Sequence, residues 1–154
     1  MRYVKGFTFI ELLVTLVLIG ILASVVLPMA SILTRQAQER ELKQSLMEIR
    51  NAIDAYKVAS DRNEIKAEFK TTSGYPQNLK VLLGVPNQYG NKTIRFLRKI
   101  PKDPFSDTQV DAEKSWILRS YDSEFDKPQE GNDIYDIYSS SNKNGLNGIS
   151  YRKW

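Results

Sequence analysis

Residues 7–60 follow a hydrophobic pattern that predicts one long helix with two different halves. Residues 12–34 contain no charged side chain, and about 20 apolar residues are enough for a helix to cross a membrane. Farther on, charged residues return and apolar residues recur every three or four positions, as on one face of a helix. The residues of this stripe are Leu42, Leu46, Ile49, Ile53 and Tyr56. We therefore predict a membrane-spanning segment at 7–34 and an amphipathic segment at 35–61.

The pattern after residue 61 changes to short elements, which predicts a compact domain at 62–154. Asn78 is a suitable N-cap for a short helix, Gly84 is a suitable end for it, and Pro86 prevents its continuation. The apolar residues of this helix that we expect to face inward are Leu79, Leu82 and Leu83.

Three later segments are rich in aromatic and β-branched residues and are separated by turn-forming residues. This pattern predicts strands at 116–121, 134–138 and 149–151. A small antiparallel sheet made of such strands has one apolar face, which packs on the amphipathic half of the long helix. The predicted fold class is therefore α+β, a long N-terminal helix packed through its second half on a small antiparallel sheet.

A basic leader and a single carboxylate mark the start of the apolar segment. Glu11 lies where hydrocarbon would surround it. A charged side chain at the bilayer centre costs about 2.5–3.5 kcal/mol, so an acid within a membrane segment indicates a function and needs a partner. The leader, residues 1–6, carries Arg2 and Lys5, and positive charge favours the cytoplasmic side. We expect a single-pass protein with its N-terminus in the cytoplasm.

The sequence Gly-Phe-Thr-Phe-Ile-Glu at 6–11 resembles the processing signal of the type IV pilin and pseudopilin family, whose members are filament subunits. The resemblance implies that a prepilin peptidase of the bacterial inner membrane cleaves between Gly6 and Phe7 and N-methylates Phe7. It also implies that Glu11 pairs with the Phe7 amine of a neighbouring subunit when copies of the chain assemble into a helical filament. Gly20 and Pro28 stand where many family members carry a glycine and a proline that soften the helix. We expect local loosening between these two residues in a filament.

Two simpler interpretations of the N-terminal segment stay open. An ordinary secretory signal peptide has an apolar region of about 7 to 15 residues followed by a small-residue cleavage site, whereas this apolar segment is longer and contains Glu11 at its start. A simple membrane anchor explains the length of the segment. It does not explain Glu11 or the Gly6–Phe7 junction.

Three segments of the C-terminal part resemble the major pseudopilin of type II secretion systems, namely 74–76, 96–105 and 135–139. Their sequences are Gly-Tyr-Pro, Phe-Leu-Arg-Lys-Ile-Pro-Lys-Asp-Pro-Phe and Tyr-Asp-Ile-Tyr-Ser. The resemblance implies a structural subunit of a pseudopilus, polymerising through its N-terminal helix to drive protein export. Its partners would be further copies of itself, the prepilin peptidase, other pseudopilins and the inner-membrane assembly platform. The domain at 62–154 would lie in the periplasm.

Two other functions compete with this interpretation. A type IV pilin or minor pilin for adhesion, motility or DNA uptake would share every N-terminal feature. A membrane-tethered enzyme or binding domain is the second alternative, and Asp103, Asp107 and Asp111 recur at four-residue intervals as paired acids sometimes do. Pro104 interrupts any helix that would align these carboxylates, so we expect a solvated loop there and no enzyme activity.

Composition restricts the chemistry further. The chain has no cysteine and no histidine, which excludes disulfides, thiolate zinc sites and histidine-based nucleophilic catalysis. Many type IV pilins close a C-terminal loop with a disulfide, which this chain cannot form. The net charge of +4 falls to +2 without Arg2 and Lys5, and the remaining basic residues are scattered among acids. This pattern does not favour nucleic-acid binding.

The last loop of the chain is where the pseudopilin resemblance implies a calcium ion, with Ser140 and Asn144 as the candidate ligands. Calcium takes six to eight oxygen ligands and prefers carboxylates. Asn144 stands about where the family has an aspartate, and residues 146–154 contain no carboxylate. We expect that no cofactor is required and that side-chain-to-backbone hydrogen bonds hold the loop, with calcium as the alternative.

Overall fold

A computed structural model describes residues 6–154, except for the side chains of residues 25–28. Residues 1–5 of the predicted leader therefore lie outside the described residues, as does the side chain of Pro28. The chain divides into two compact units, Met1–Ala37 and Gln38–Trp154.

Helix α1 extends over Phe9–Asp61, close to the predicted bounds of 7 and 60. In the described part of the first unit its apolar side chains are exposed, as shown by Leu16 and Leu22, which are 70% and 67% exposed. Among the described residues, α1 is the one helix that is long and apolar enough to cross a membrane. The helical backbone includes positions 20 and 28. The expected loosening between Gly20 and Pro28 concerns a filament and stays a prediction.

Within the second unit, α1 provides one wall of the hydrophobic core. All five residues of the predicted stripe are at most 2% exposed, so the predicted amphipathic half is confirmed. Asn63 lies just beyond the end of α1, and its φ of 59° is in the left-handed region. The amides of Asn63 and Glu64 donate to the carbonyls of Ser60 and Ala59 at 3.0 and 2.9 Å. This arrangement is a Schellman motif, which satisfies the last carbonyls of a helix.

The predicted short helix after Asn78 is present as a 3₁₀ helix, Leu79–Leu83. The Asn78 side chain accepts a hydrogen bond from the Val81 amide at 3.2 Å, and Gly84 follows the last turn. Leu79 and Leu82 are completely buried. Further 3₁₀ turns occur at Ala67–Phe69, Glu113–Ser115 and Tyr151–Lys153.

The strands form two small antiparallel sheets. β1 (Val85–Pro86) pairs with β2 (Thr93–Ile94). β3 (Trp116–Arg119) pairs with β4 (Asp136–Ser139), with Trp116 opposite Ser139 and Arg119 opposite Asp136. The predicted strands at 116–121 and 134–138 are thus present with shorter bounds. The long helix with its small antiparallel sheets is the predicted α+β fold.

The predicted strand at 149–151 is wrong. Ser150 forms only an isolated bridge with Asn144, and a 3₁₀ turn begins at Tyr151. Turn chemistry explains the difference, because Gly148 has a φ of 78° and the Ile149 amide donates to the Asn147 side chain at 3.0 Å. A residue with positive φ interrupts an extended strand.

The β3–β4 hairpin separates two layers of the second unit. Ile137 is completely buried in the core cluster that contains the α1 stripe. Because successive side chains of a strand point to opposite faces, Tyr138 faces the other way, where its ring lies 6.4 Å from that of Phe125. The Tyr138 ring thus lies beside the loop that contains Phe125.

Candidate functional site

The N-terminal motif forms the first turn of α1. The Glu11 amide donates to Thr8 Oγ1 at 3.3 Å, and the Thr8 amide donates to Glu11 Oε2 at 3.4 Å. The Leu12 amide donates to the Thr8 carbonyl at 3.2 Å. This reciprocal pair is a capping box, in which the side chains at the N-cap and N3 positions satisfy two amides that the helix leaves unpaired. Thr8 therefore fixes where α1 begins.

The capping box leaves the Gly6–Phe7 junction outside the helix. Neither residue has helical backbone structure, and the Phe7 side chain is 78% exposed. A Cβ placed on Gly6 would meet nothing within 4 Å. Gly6 and Phe7 are therefore both exposed in the described part of the chain. Sequence reasoning missed the capping box, although Thr-x-x-Glu before an apolar segment is its recognised signature.

Glu11 is an exposed carboxylate surrounded by exposed apolar side chains. Ile10 and Leu12, its neighbours along α1, are 66% and 59% exposed. In the single chain, the Glu11 side chain bonds to Thr8 and thus stays within its own first turn. Its pairing with the Phe7 amine joins two copies and stays a prediction.

Asp103 is the main polar centre of the second unit. Its side chain is 1% exposed. It accepts hydrogen bonds from Ser139 Oγ at 2.6 Å, from the Ser140 amide at 3.0 Å and from the Phe105 amide at 2.8 Å. A buried carboxylate is tolerated only when such donors satisfy it. Asp103 therefore fastens the segment at 100–105 to the end of β4.

The expectation of a solvated loop at the three aspartates is therefore wrong for Asp103. Asp107 and Asp111 are exposed, as expected. Asp103 differs because two of its donors, Ser139 Oγ and the Ser140 amide, lie at the end of β4 and just after it, more than thirty residues farther along the chain. Local periodicity contains no information about such a distant partner.

The C-terminal segment is fastened to α1 by two charged side chains. Glu39 Oε1 accepts hydrogen bonds from the Leu146 amide at 2.7 Å and from the Tyr151 hydroxyl at 2.9 Å. Arg50 donates to Asp136 Oδ1 at 2.8 Å. It also donates to the carbonyls of Ile137 and Trp154 at 3.1 and 2.8 Å. These bonds hold the terminal loop in a chain that cannot form a disulfide.

The calcium candidates take part in this same network of hydrogen bonds. The Ser140 amide donates to Asp103, and Asn144 pairs with Ser150. Of the acids that contact this region, Asp103 and Glu39 each already accept at least two hydrogen bonds, and Asp136 is paired with Arg50. Within residues 6–154, no group of three or more acidic, histidine or cysteine side chains is placed to hold a metal ion. The expectation that the loop needs no calcium stays a prediction.

Comparison with known proteins identifies a family model and several curated relatives that match the chain. Residues 1–27 match a family model described as the prokaryotic N-terminal methylation motif. The chain is 29% identical over 115 residues to the type II secretion system core protein G of Klebsiella pneumoniae, covering 71% of this chain and 76% of that protein. No solved structure is a significant match to the chain.

Two further relatives of the same name are slightly more similar in sequence. Identity is 30% over 108 residues with the protein of Vibrio cholerae serotype O1, covering 68% of each chain. Identity is 31% over 109 residues with the protein of Pseudomonas aeruginosa, covering 68% of this chain and 70% of that one. The alignment lengths exceed the N-terminal motif several-fold, so the similarity includes the second unit as well. The chain therefore belongs to the family of the type II secretion system core protein G, the pseudopilins.

Proposed function

We propose that this chain is a structural subunit of a type II secretion pseudopilus and that it polymerises through α1 to drive protein export. The observation that carries the proposal is the position of Glu11, a carboxylate within an exposed apolar helix. Lipid would cover the apolar side chains but leave the carboxylate without a partner. Water would solvate the carboxylate but leave the apolar side chains exposed. Packing of α1 against further copies of itself satisfies both, because it covers the apolar surface and brings a cationic partner to Glu11.

Processing at Gly6–Phe7 supplies that cationic partner. A prepilin peptidase cuts the peptide bond after Gly6, and N-methylation leaves a charged secondary amine on Phe7. Three helical steps from Thr8 to Glu11 span about 4.5 Å along the axis, and the non-helical step from Phe7 to Thr8 adds at most about 3.5 Å. An axial shift of this size aligns the amine of one copy with the carboxylate of the next. The capping box uses Oε2 of Glu11. A carboxylate accepts at both oxygens, so Oε1 serves the neighbouring amine.

This pairing sets the register between subunits more than it adds stability. An ion pair in a medium of low dielectric gains little net free energy, whereas a buried charge without a partner is strongly unfavourable. Any axial offset between neighbouring subunits that separates Glu11 from an amine therefore raises the free energy of the assembly. The residues that carry this role are Phe7 and Glu11, with Thr8 orienting the carboxylate.

The location and partners follow from the same arrangement. The chain is anchored in the inner membrane by α1 as a single pass, with the leader in the cytoplasm and residues 62–154 in the periplasm. Its partners are the prepilin peptidase, other pseudopilins and the membrane assembly platform. The function is mechanical and needs no catalytic group. A type IV pilin would share α1, but the segment at 100–105 and the name carried by the relatives above favour the pseudopilus.

The proposed function is tested by overproducing the full-length chain together with the secretion genes of its own host. We expect filaments of the processed chain that can be sheared from cells, pelleted and seen by electron microscopy. A host that lacks the prepilin peptidase is the control and should give none. A processed chain that stays dispersed in the membrane under these conditions would contradict the proposal.

The terminal loop provides a second test, because we infer that hydrogen bonds hold it without calcium. We expect the melting temperature of the purified full-length chain in detergent to be the same with excess calcium and with a chelator. Calcium bound at a hundredfold above its Kd would add about 2.7 kcal/mol, which is roughly 5–10 °C for a domain of this size. A calcium-dependent rise that Ser140→Ala abolishes would show that the loop is a metal site.

A further inference from the structure

An exposed phenylalanine lies at the tip of the connection between β3 and β4. Phe125 is 63% exposed and occupies a turn closed by a hydrogen bond from the Lys127 amide to the Glu124 carbonyl at 3.3 Å. Tight turns favour small and polar residues, so an aromatic side chain here is unusual. Residues 122–130, named here the acidic loop, contain one basic residue and four acidic ones. The acidic residues are Asp122, Glu124, Asp126 and Glu130.

Internal hydrogen bonds hold the acidic loop in shape. Ser123 Oγ donates to the Lys127 carbonyl at 3.2 Å and accepts from the Gln129 amide at 2.8 Å. Arg119 Nη1 donates to the Ser123 carbonyl at 3.1 Å. An aromatic side chain on an ordered loop loses little conformational entropy when it binds, which favours its use as an anchor.

A pocket of complementary character lies between α1 and the C-terminal segment. Its volume is about 430 Å³. Its apolar lining includes Met47 and Ile149, which are 64% and 47% exposed, and the Lys43 ammonium lies 4.6 Å from the centre of the Trp154 ring. We name it the basic pocket, after the cations at its margin. The lining residues that matter here are Lys43, Leu46, Met47, Ile149, Lys153 and Trp154.

Within a single copy, Phe125 does not occupy the basic pocket. Its ring packs beside Tyr138, which does not line the pocket. The lining residues belong to α1 and to the C-terminal segment. The loop and the pocket are therefore two separate surfaces of one copy, and a contact between them joins two molecules.

We propose that the acidic loop of one copy docks into the basic pocket of a second copy, with the Phe125 ring as the anchor. Aromatic anchors in pockets carry much of the energy of protein interfaces. The acids beside Phe125 face Lys43 and Lys153, and such charge complementarity fixes the orientation of the partners. The proposal rests on the proposed function, because it takes self-assembly as given and names a contact between the second units.

Two different surfaces meet in this contact, so in a pair one copy keeps an unfilled pocket and the other keeps an unfilled loop. Such a heterologous contact extends into an open filament when the rotation between copies does not close a ring. All copies in such a filament have the same orientation.

The chain has no cysteine, so introduced cysteines report this contact without background. The variant carries Asp126→Cys and Ile149→Cys in the full-length chain, both at exposed positions, and keeps the Phe125 anchor. Cells that assemble the variant are treated with a short bismaleimide, and we expect a ladder of covalent multiples of the chain. The matched control carries Tyr89→Cys and Ile149→Cys, since Tyr89 is an exposed loop residue outside the acidic loop, 76% exposed, and should give only the single chain.

Two separate measurements distinguish this contact from the proposed function. The cross-linked ladder tests the contact, and filament formation by the unmodified chain tests the proposed function. Filaments without the cross-linked ladder would overturn the contact and leave the proposed function standing. A ladder without filaments would support the contact and contradict the proposed function. Loss of the ladder when Lys43→Glu and Lys153→Glu are added would confirm the charge complementarity. A product whose mass is not a multiple of the chain would overturn a second copy as the occupant.

Discussion

Glu11→Ala is expected to lower the yield of filaments at least about tenfold while the second unit keeps its stability. The variant removes the proposed ion pair between the Glu11 carboxylate and the Phe7 amine of the next copy, which leaves that amine without its partner in an apolar interface. A charge-assisted hydrogen bond contributes roughly 1.5–3 kcal/mol, which corresponds to about ten- to a hundredfold in an association constant. Filament yield is measured by shearing and pelleting. The melting temperature of the full-length chain reports folding and should not change.

Glu11→Gln is the matched control that separates the loss of the Glu11 charge from the loss of the capping box. Glutamine at N3 also completes a capping box with Thr8, so this variant keeps the start of α1 and removes only the charge. We expect it to assemble as poorly as Glu11→Ala. Normal filaments from Glu11→Gln would show that the capping box, and not the charge, is what assembly needs. Normal filaments from both variants would contradict the proposed role of Glu11 in assembly.

Asp103→Ala is expected to destabilise the second unit by about 3 kcal/mol, the largest effect that we predict on stability. Its side chain is 1% exposed, and its removal leaves Ser139 Oγ and the amides of Phe105 and Ser140 without their acceptor. Each buried donor that loses its partner costs about 1–3 kcal/mol. The melting temperature of the full-length chain should fall by roughly 10 °C.

Asp107→Ala provides the comparison for Asp103. Asp107 is exposed and accepts only from the nearby Gln109 amide and the Thr108 hydroxyl, at 3.1 and 3.5 Å. Surface substitutions of this kind change stability by less than about 0.5 kcal/mol. Equal melting temperatures for Asp103→Ala and the unmodified chain would contradict the role of Asp103 as the buried polar centre.

The sequence predicts the elements whose signals are local. The stripe from Leu42 to Tyr56 repeats over several turns of helix, and each of its residues is buried as expected. Asn78 and Gly84 are chemical signals for the ends of a helix, and both lie where predicted. The two strands of the β3–β4 hairpin were also predicted, since aromatic and β-branched residues are dense in both segments.

Features that depend on distant parts of the chain could not be predicted in the same way. The periodicity of the three aspartates does not distinguish Asp103 from Asp107, because Ser139 and Ser140, which donate to Asp103, lie far along the chain. Glu39 likewise receives its donors from Leu146 and Tyr151, more than a hundred residues away. The basic pocket combines residues of α1 with residues of the C-terminal segment, so it exists only after folding.

Two other features were missed although their signals are local. The capping box of Thr8 and Glu11 is readable from the sequence as Thr-x-x-Glu before an apolar segment. The charge of Glu11, taken alone, indicates a cationic partner and not a role in the first turn of its own helix. The failed strand at 149–151 contains β-favouring Ile149 and Tyr151, yet Asn147 and Gly148 impose a turn just before it. In short segments of this kind, turn chemistry outweighs β-propensity.

The central claim is that the chain is processed at Gly6–Phe7 so that a new amine can meet Glu11 in an assembly. The intact mass of the protein extracted from the membrane of its host tests this most directly. The account predicts a mass that lacks Met1 to Gly6 and carries one additional methyl group, located on Phe7 by fragmentation. A protein that retains its first six residues would contradict it, because Glu11 would then have no neighbouring amine to bind.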